Sequence, residues 1–221
     1  MSIPTISENL FERLCSQRGV KCVRIPLSTL KTADYRVSLD SFELIAEIKQ
    51  LNSNSEDKKL ARVWGTINCP PVIAPSDRVQ GLLDAGYPQV KRSSGGVLPT
   101  MIVVYNNSGQ WNSIDTFTIA KAMFGSFAFF LELQPGQAID VVGHGYDGGR
   151  KVTRDTFRSL SVVGVLTRLG EDIHGLDCYH NPFAAVRVDP MQLSAIASDQ
   201  YVHANPHAKG FVQWAPTRIE T

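Results

Sequence analysis

Ala33-Asp-Tyr-Arg-Val-Ser-Leu39, then Asp40-Ser41, then Phe42-Glu-Leu-Ile-Ala-Glu-Ile-Lys49-Gln50 is the stretch that decides how this chain reads. Both runs are rich in β-branched and aromatic residues and too short for helices, so the spacing predicts strands over 34–39 and 42–49, joined at Asp40-Ser41 by a tight turn. Side chains alternate faces along a strand, so Glu47 and Lys49 share one face while Leu44, Ala46 and Ile48 point to the other, toward a core. A short hairpin can bring Asp34, at the start of the first strand, beside Glu47. Paired carboxylates at a strand end suit a hard divalent cation that takes oxygen ligands, with Mg2+ the natural candidate.

Working outward, Ser7 is a plausible N-cap for a first helix running to about Gln17, with Leu10, Phe11 and Leu14 on one face and Gly19 stopping it. A short strand follows over Val20 to Ile25. Beyond the hairpin, the polar stretch Asn52 to Lys59 and the Pro-rich Cys69 to Pro75 read as breaks, with the segment between them projecting from the core. Ser76-Asp77 caps a further helix to about Gly86, then comes the Ser93-Ser-Gly-Gly96 loop and an apolar strand from Met101 to Tyr105. Helical spacing over Ile114 to Phe124 ends at Gly125. More strands are expected at 127–133, 139–142, 160–169 and 176–180. The pattern implies one α/β domain over residues 1–221: a mixed sheet flanked by helices, with its core over about 5–125 and a β-rich extension over about 126–221.

Composition agrees with a folded chain of this size. The 221 residues are 43% hydrophobic and 19% charged, enough for one sizeable core and unlike a disordered sequence. A net charge of +1 excludes the strongly basic profile of a protein that coats nucleic acid non-specifically. The opening Met1-Ser-Ile-Pro-Thr has no secretory pattern, and the longest apolar run, Phe127 to Leu133, is too short to span a bilayer, so a cytoplasmic protein without a membrane partner is expected. Cys15, Cys22, Cys69 and Cys178 form no C-x-x-C pair and read as reduced, packed thiols.

With these residues in view, Ala33-Asp34-Tyr35 followed by Ala46-Glu47-Ile48-Lys49-Gln50 resembles the PD-(D/E)XK nuclease superfamily, the restriction-endonuclease-like fold. The first helix and strand lie where that family places them. Asp77 to Lys91 and Pro99 to Tyr105 are similar to the helix and strand that complete its αβββαβ core. Ala33 stands where the motif's proline usually precedes the aspartate. The resemblance covers residues 5 to 105 and implies a Mg2+-dependent endonuclease, with Mn2+ as a substitute, acting on DNA rather than RNA; a homodimer is compatible with it. It implies that Asp34, Glu47 and the Ile48 carbonyl hold the metal and that Lys49 orients water or stabilises transition-state charge. Glu8 would support the metal through water, with Glu12, one turn on, the competing assignment. Gln50, Lys58, Lys59, Arg62 and Arg78 form the expected substrate-contact set. A second function class, the same fold as a binding module without turnover, stays open.

The remaining features weigh less. Lys58 to Trp64 interleaves cations with an aromatic, which suits phosphate contact and base stacking but also a solvated loop anchored by one Trp; Lys91 and Arg92 read the same way. Gly143-His144-Gly145 to Gly149 lacks the lysine and spacing of a P-loop and reads as a hairpin tip. Cys178, His180, His203 and His207 match no strong zinc spacing, and the last two fall in what reads as a C-terminal tail.

Overall fold

The computed structural model describes residues 4–26, 31–40, 42–64, 75–109, 113–132, 140–169, 172–203 and 214–216. The order is α1 (Ile6–Gln17), β1 (Lys21–Arg24), β2 (Tyr35–Leu39), β3 (Phe42–Asn52), α2 (Ser55–Trp64), α3 (Ser76–Ser94), β4 (Thr100–Asn107), α4 (Thr116–Phe124), β5 (Ser126–Glu132), β6 (Asp140–Asp147), β7 (Val162–Leu169), β8 (Asp172–His180), α5 (Pro190–Leu193), β9 (Gln200–His203) and β10 (Trp214–Pro216). Eight strands form one mixed sheet in the order β1-β2-β3-β4-β7-β8-β9-β10, and β5-β6 form a separate ribbon. The chain is α/β, as its alternating apolar runs require.

The hairpin pairs Tyr35 with Ala46 and Leu39 with Phe42. β3 then runs parallel to β4, Glu47 opposite Ile102, and β4 runs parallel to β7. The sheet buries both faces. On one lie Leu10, Phe11, Leu14 and Cys15 of α1 with Tyr35, Leu44, Ala46 and Ile48. On the other lie Val79, Leu83 and Val90 of α3 and Ile119 and Met123 of α4, with Ile45, Ile102 and Val104. Glu47 and Lys49 share the parity of Ile45 and therefore stand on the α3 side.

Several sequence expectations change. The first helix is capped by Thr5, not Ser7: Thr5 accepts from the Glu8 amide while the Glu8 side chain accepts from the Thr5 amide. The polar 52–59 stretch is not a break but enters α2, where Asn54 and Asp57 accept from each other's backbone N–H at 2.8 Å. The helix from Ser76 does not stop at Gly86. It continues past Pro88 to Ser94, because Val90 is buried beyond the proline and packing outweighs one missing backbone bond; Gly95, at φ 59°, ends it. Gly143-His144-Gly145 lies inside β6, His144 opposite Phe129, rather than at a hairpin tip; within 143–149 the positive-φ glycines are Gly148 and Gly149. His203 belongs to no tail, since β9 pairs with β8 and β10 and extends the main sheet. Ser41, Cys69 to Ala74 and His207 lie outside the described residues.

Asp57 ties α2 to its neighbours. Its carboxylate also accepts from Arg78 Nη1 of α3, at 2.9 and 3.2 Å, and Arg78 Nη2 donates to the Asn52 carbonyl at the end of β3. Asp57→Ala should therefore cost about 1–3 kcal/mol in urea melts, because it removes a cap and takes the carboxylate from a partly buried guanidinium that keeps only the Asn52 carbonyl. Arg78→Ala, which keeps the cap, should cost less. Equal stability of Asp57→Ala and the parent would show that this brace holds nothing.

Candidate metal and catalytic site

The hairpin register sets Asp34 one step beyond the Tyr35–Ala46 pair, alongside Glu47. Asp34 is fixed there by the backbone of the opposite strand: its Oδ2 accepts from the Ile48 N–H at 2.8 Å. Glu47 is almost sealed from solvent at 2% exposure, and Lys49 Nζ donates to its Oε1 at 2.5 Å. The other oxygen, Oε2, is buried without a hydrogen-bond partner among the described residues. A buried carboxylate oxygen with no donor is costly, so it calls for a proton or a cation.

Electrostatics say the same. Burial first, and then the Asp34 charge, push the Glu47 carboxyl up from its ordinary value to about 7, against the opposing pull of Lys49. Asp34 is also raised, by burial and by Glu8, while the Ile48 amide and Lys49 hold it down. Two facing acceptors make a hydrogen bond only with a proton between them. The raised carboxyls favour a proton on the pair; a divalent ion is the charged alternative to it.

The roof of the site is α3. A Cβ on Gly86 would lie 3.2 Å from Ile102 Cδ1, 3.3 Å from Lys49 Cε and 3.4 Å from Glu47 Cγ, so the missing side chain lets the helix close over the acid and the lysine. Gly86 is a residue the motif does not reveal. Its signal in the sequence is a glycine inside an otherwise continuous amphipathic helix, which marks close approach as readily as a stop.

The acids on α1 divide. Glu12 accepts from Arg24 Nε at 2.7 Å and from the Tyr35 hydroxyl at 2.8 Å, a closed cluster on the opposite side of β2. Glu8 is the acid whose field reaches Asp34, but its own oxygens accept from the Thr5 amide and from Arg24 Nη1. Among the described residues no group of three His, Cys, Asp or Glu side chains is placed to hold a metal ion. The pair Asp34 and Glu47, with the Ile48 N–H bonded to Asp34, is what the hairpin brings together.

Comparison with known proteins gives no relative. No family model, no curated protein and no solved structure matches this chain.

The expected substrate contacts scatter. Gln50 is used at both ends, accepting from the Ser7 amide at 3.2 Å and donating to Asn52 Oδ1 at 2.6 Å, so it straps the start of α1 to β3. Lys58, Lys59 and Arg62 are exposed on α2. Arg78 is occupied by Asp57 and Asn52. Lys91 and Arg92 close α3, Arg92 donating to the Lys31 carbonyl. Cys178 and His180 are buried in β8, the histidine bonded to Gln200 Oε1 at 2.9 Å, which makes them part of the core.

The raised Glu47 carboxyl has a definite sign. Between its ordinary value of 4.5 and about 7 the folded protein binds more protons than the unfolded chain, so folding stability falls as pH rises through that window. With a chelator present, Glu47→Gln should melt near the parent at pH 5 and increasingly above it toward pH 8, since Gln carries no charge to bury. Melting curves across that range check this, and a difference that stays constant with pH would refute it.

Proposed function

We propose that this protein is a Mg2+-dependent nuclease of the PD-(D/E)XK type that hydrolyses phosphodiester bonds in DNA. The observation that carries the reading is the buried Glu47 oxygen without a partner among the described residues, on a carboxylate that the hairpin register sets alongside Asp34, with Lys49 bonded to the other oxygen. The element order supports it: one helix, three antiparallel strands, then α2 and α3 and a parallel fourth strand follow the order of the αβββαβ core that the resemblance implies, with α2 as an addition. The donor set is all oxygen, which suits Mg2+ and Mn2+.

Asp34, Glu47 and the Ile48 carbonyl would hold the ion. Bound there, Mg2+ supplies a lowered pKa for water and neutralises charge on a phosphate oxygen. Asp34 is oriented by the Ile48 N–H, and that fixes which of its oxygens remains for a ligand. Lys49 is 19% exposed, reaching from the sealed carboxylate toward solvent, so its ammonium can neutralise an incoming phosphate oxygen and hold an attacking water by hydrogen bonding. α3 excludes solvent behind the pair, which strengthens each of these interactions. The same fold kept as a binding module is the second reading. The engagement of Glu8 with Thr5 and Arg24 favours it, because it leaves a metal two carboxylates rather than three.

Two measurements test the assignment. Calorimetric titration of Mn2+ should show binding to the parent and none to Asp34→Asn; parent-like affinity in that variant overturns the metal pair. Lys49→Ala should keep Mn2+ and DNA binding yet lose cleavage of plasmid and oligonucleotide substrates by about 100-fold or more. If Lys49→Ala cuts as fast as the parent, Lys49 has no part in the chemistry. If the parent binds DNA but cuts no duplex, nicked, branched or single-stranded form, the binding-module reading replaces the nuclease.

A further inference from the structure

The segment before β7 carries Arg150, Lys151, Arg154 and Arg158 within nine residues, with Asp155 its one carboxylate. Two of these cations are engaged within the protein: Lys151 pairs with Asp84 of α3 at 2.9 Å, and Arg150 donates to the Tyr146 carbonyl. Arg154 and Arg158 are exposed, and neither has a side-chain partner among the described residues. Arg187 is exposed as well; it donates to the Pro182 carbonyl at 2.9 Å, and its segment is drawn in by the Ala185 N–H donating to the Arg158 carbonyl at 2.7 Å.

The loop that carries them is held in one shape. Thr153 Oγ1 accepts from the amides of Asp155 and Thr156, and Thr156 Oγ1 donates to the Lys151 carbonyl. Asn181 Nδ2 donates to the carbonyls of Phe157 and Leu160 at 3.2 and 2.7 Å. Phe157 sits at φ 56°, a left-handed conformation that a bulky residue adopts only when its surroundings impose it. Its ring stacks on Tyr87 of α3, centroids 4.1 Å apart and planes 19° apart, and its carbonyl accepts from Asn181 Nδ2 and the Leu160 N–H. Tyr87 follows Gly86, the residue that closes over Glu47 and Lys49. The loop is thus clamped to the same turn of α3 that roofs the candidate site.

We infer that Arg154, Arg158 and Arg187 form a preorganised phosphate-binding surface that receives the backbone of duplex DNA beside the site, an inference that rests on the nuclease reading. Guanidinium groups offer planar, paired donors that match phosphate oxygens, and a loop fixed beforehand loses little freedom on binding. An anionic membrane is the weaker fit. The loop has no exposed apolar side chain to insert, because Val152 is buried and Phe157 is held against Tyr87. Beyond the adjacent Arg150 and Lys151 its cations are spaced three or four apart, so the stretch does not stand out in sequence as a basic run.

The test measures binding of the full chain to a 30-base-pair duplex by fluorescence anisotropy in EDTA, where cleavage is suppressed, across a series of NaCl concentrations. Replacing Arg154, Arg158 and Arg187 together by Ala should weaken binding by about tenfold or more and reduce the slope of log K against log salt by about two to three, with the melting temperature and Mn2+ affinity unchanged. The matching triple Lys variant should keep most of the slope. Parent-like affinity and slope in the Ala variant overturn the inference while leaving the nuclease reading intact. Parent binding to phosphatidylserine vesicles in preference to DNA also overturns it. Loss of binding in the Ala variant of a parent that never cleaves would support this surface and defeat the nuclease reading instead.

Discussion

A carboxylate that is dry, half neutralised and facing another carboxylate is the constraint around which this protein is arranged. Lys49 neutralises one oxygen of Glu47, and nothing among the described residues neutralises the other. An apolar residue at position 47 would pack between β3 and α3 at far lower electrostatic cost, since buried ion pairs rarely repay their desolvation. The surrounding structure holds the arrangement in place all the same. The Ile48 amide fixes Asp34, Gly86 brings α3 down onto the pair, and Gln50 ties the start of α1 to the strand that carries them. Such uncompensated cost is characteristic of sites kept for what they bind.

The hairpin is legible because period-two alternation and two short β-rich runs leave little freedom. Its register follows from the turn length, so the order of residues alone sets Asp34, Glu47 and Lys49 together. The helix-strand order follows from the same local signals. What escapes is whatever depends on distant partners. Gly86 and Pro88 are punctuation in sequence, but in the structure they lie within one long helix because Val90 and Leu83 have a sheet to cover. The strand character of Gly143-His-Gly145 comes from pairing with β5. β9, four residues long, has too little pattern to announce itself and exists through β8 and β10.

At the site the legible part is the set of residue types, and the illegible part is their engagement. Glu8 and Glu12 look alike as one helix face, yet Arg24 and Tyr35 close around Glu12 while Glu8 lies within electrostatic reach of Asp34. Gln50 and Arg78 read as hands for a substrate and serve as internal ties. Polar residues near a catalytic motif satisfy backbone and neighbouring charges first, since buried donors and acceptors cannot be left over. Only those still unpaired among the described residues after that accounting, such as Arg154 and Arg158, remain for a ligand.

The hydrogen bond from Ile48 to Asp34 spans just 14 residues, whereas β3 finds β4 only after the chain has travelled through α2 and α3. Contacts of short sequence separation cost little loop entropy and form early. Sequence separation alone thus favours a hairpin in which the two carboxylates meet with water still screening their repulsion, and the burial of Glu47 needs α3 in place with Gly86 over it. The docking of one helix, rather than the pairing of two strands, becomes the step at which a proton or a cation must be captured.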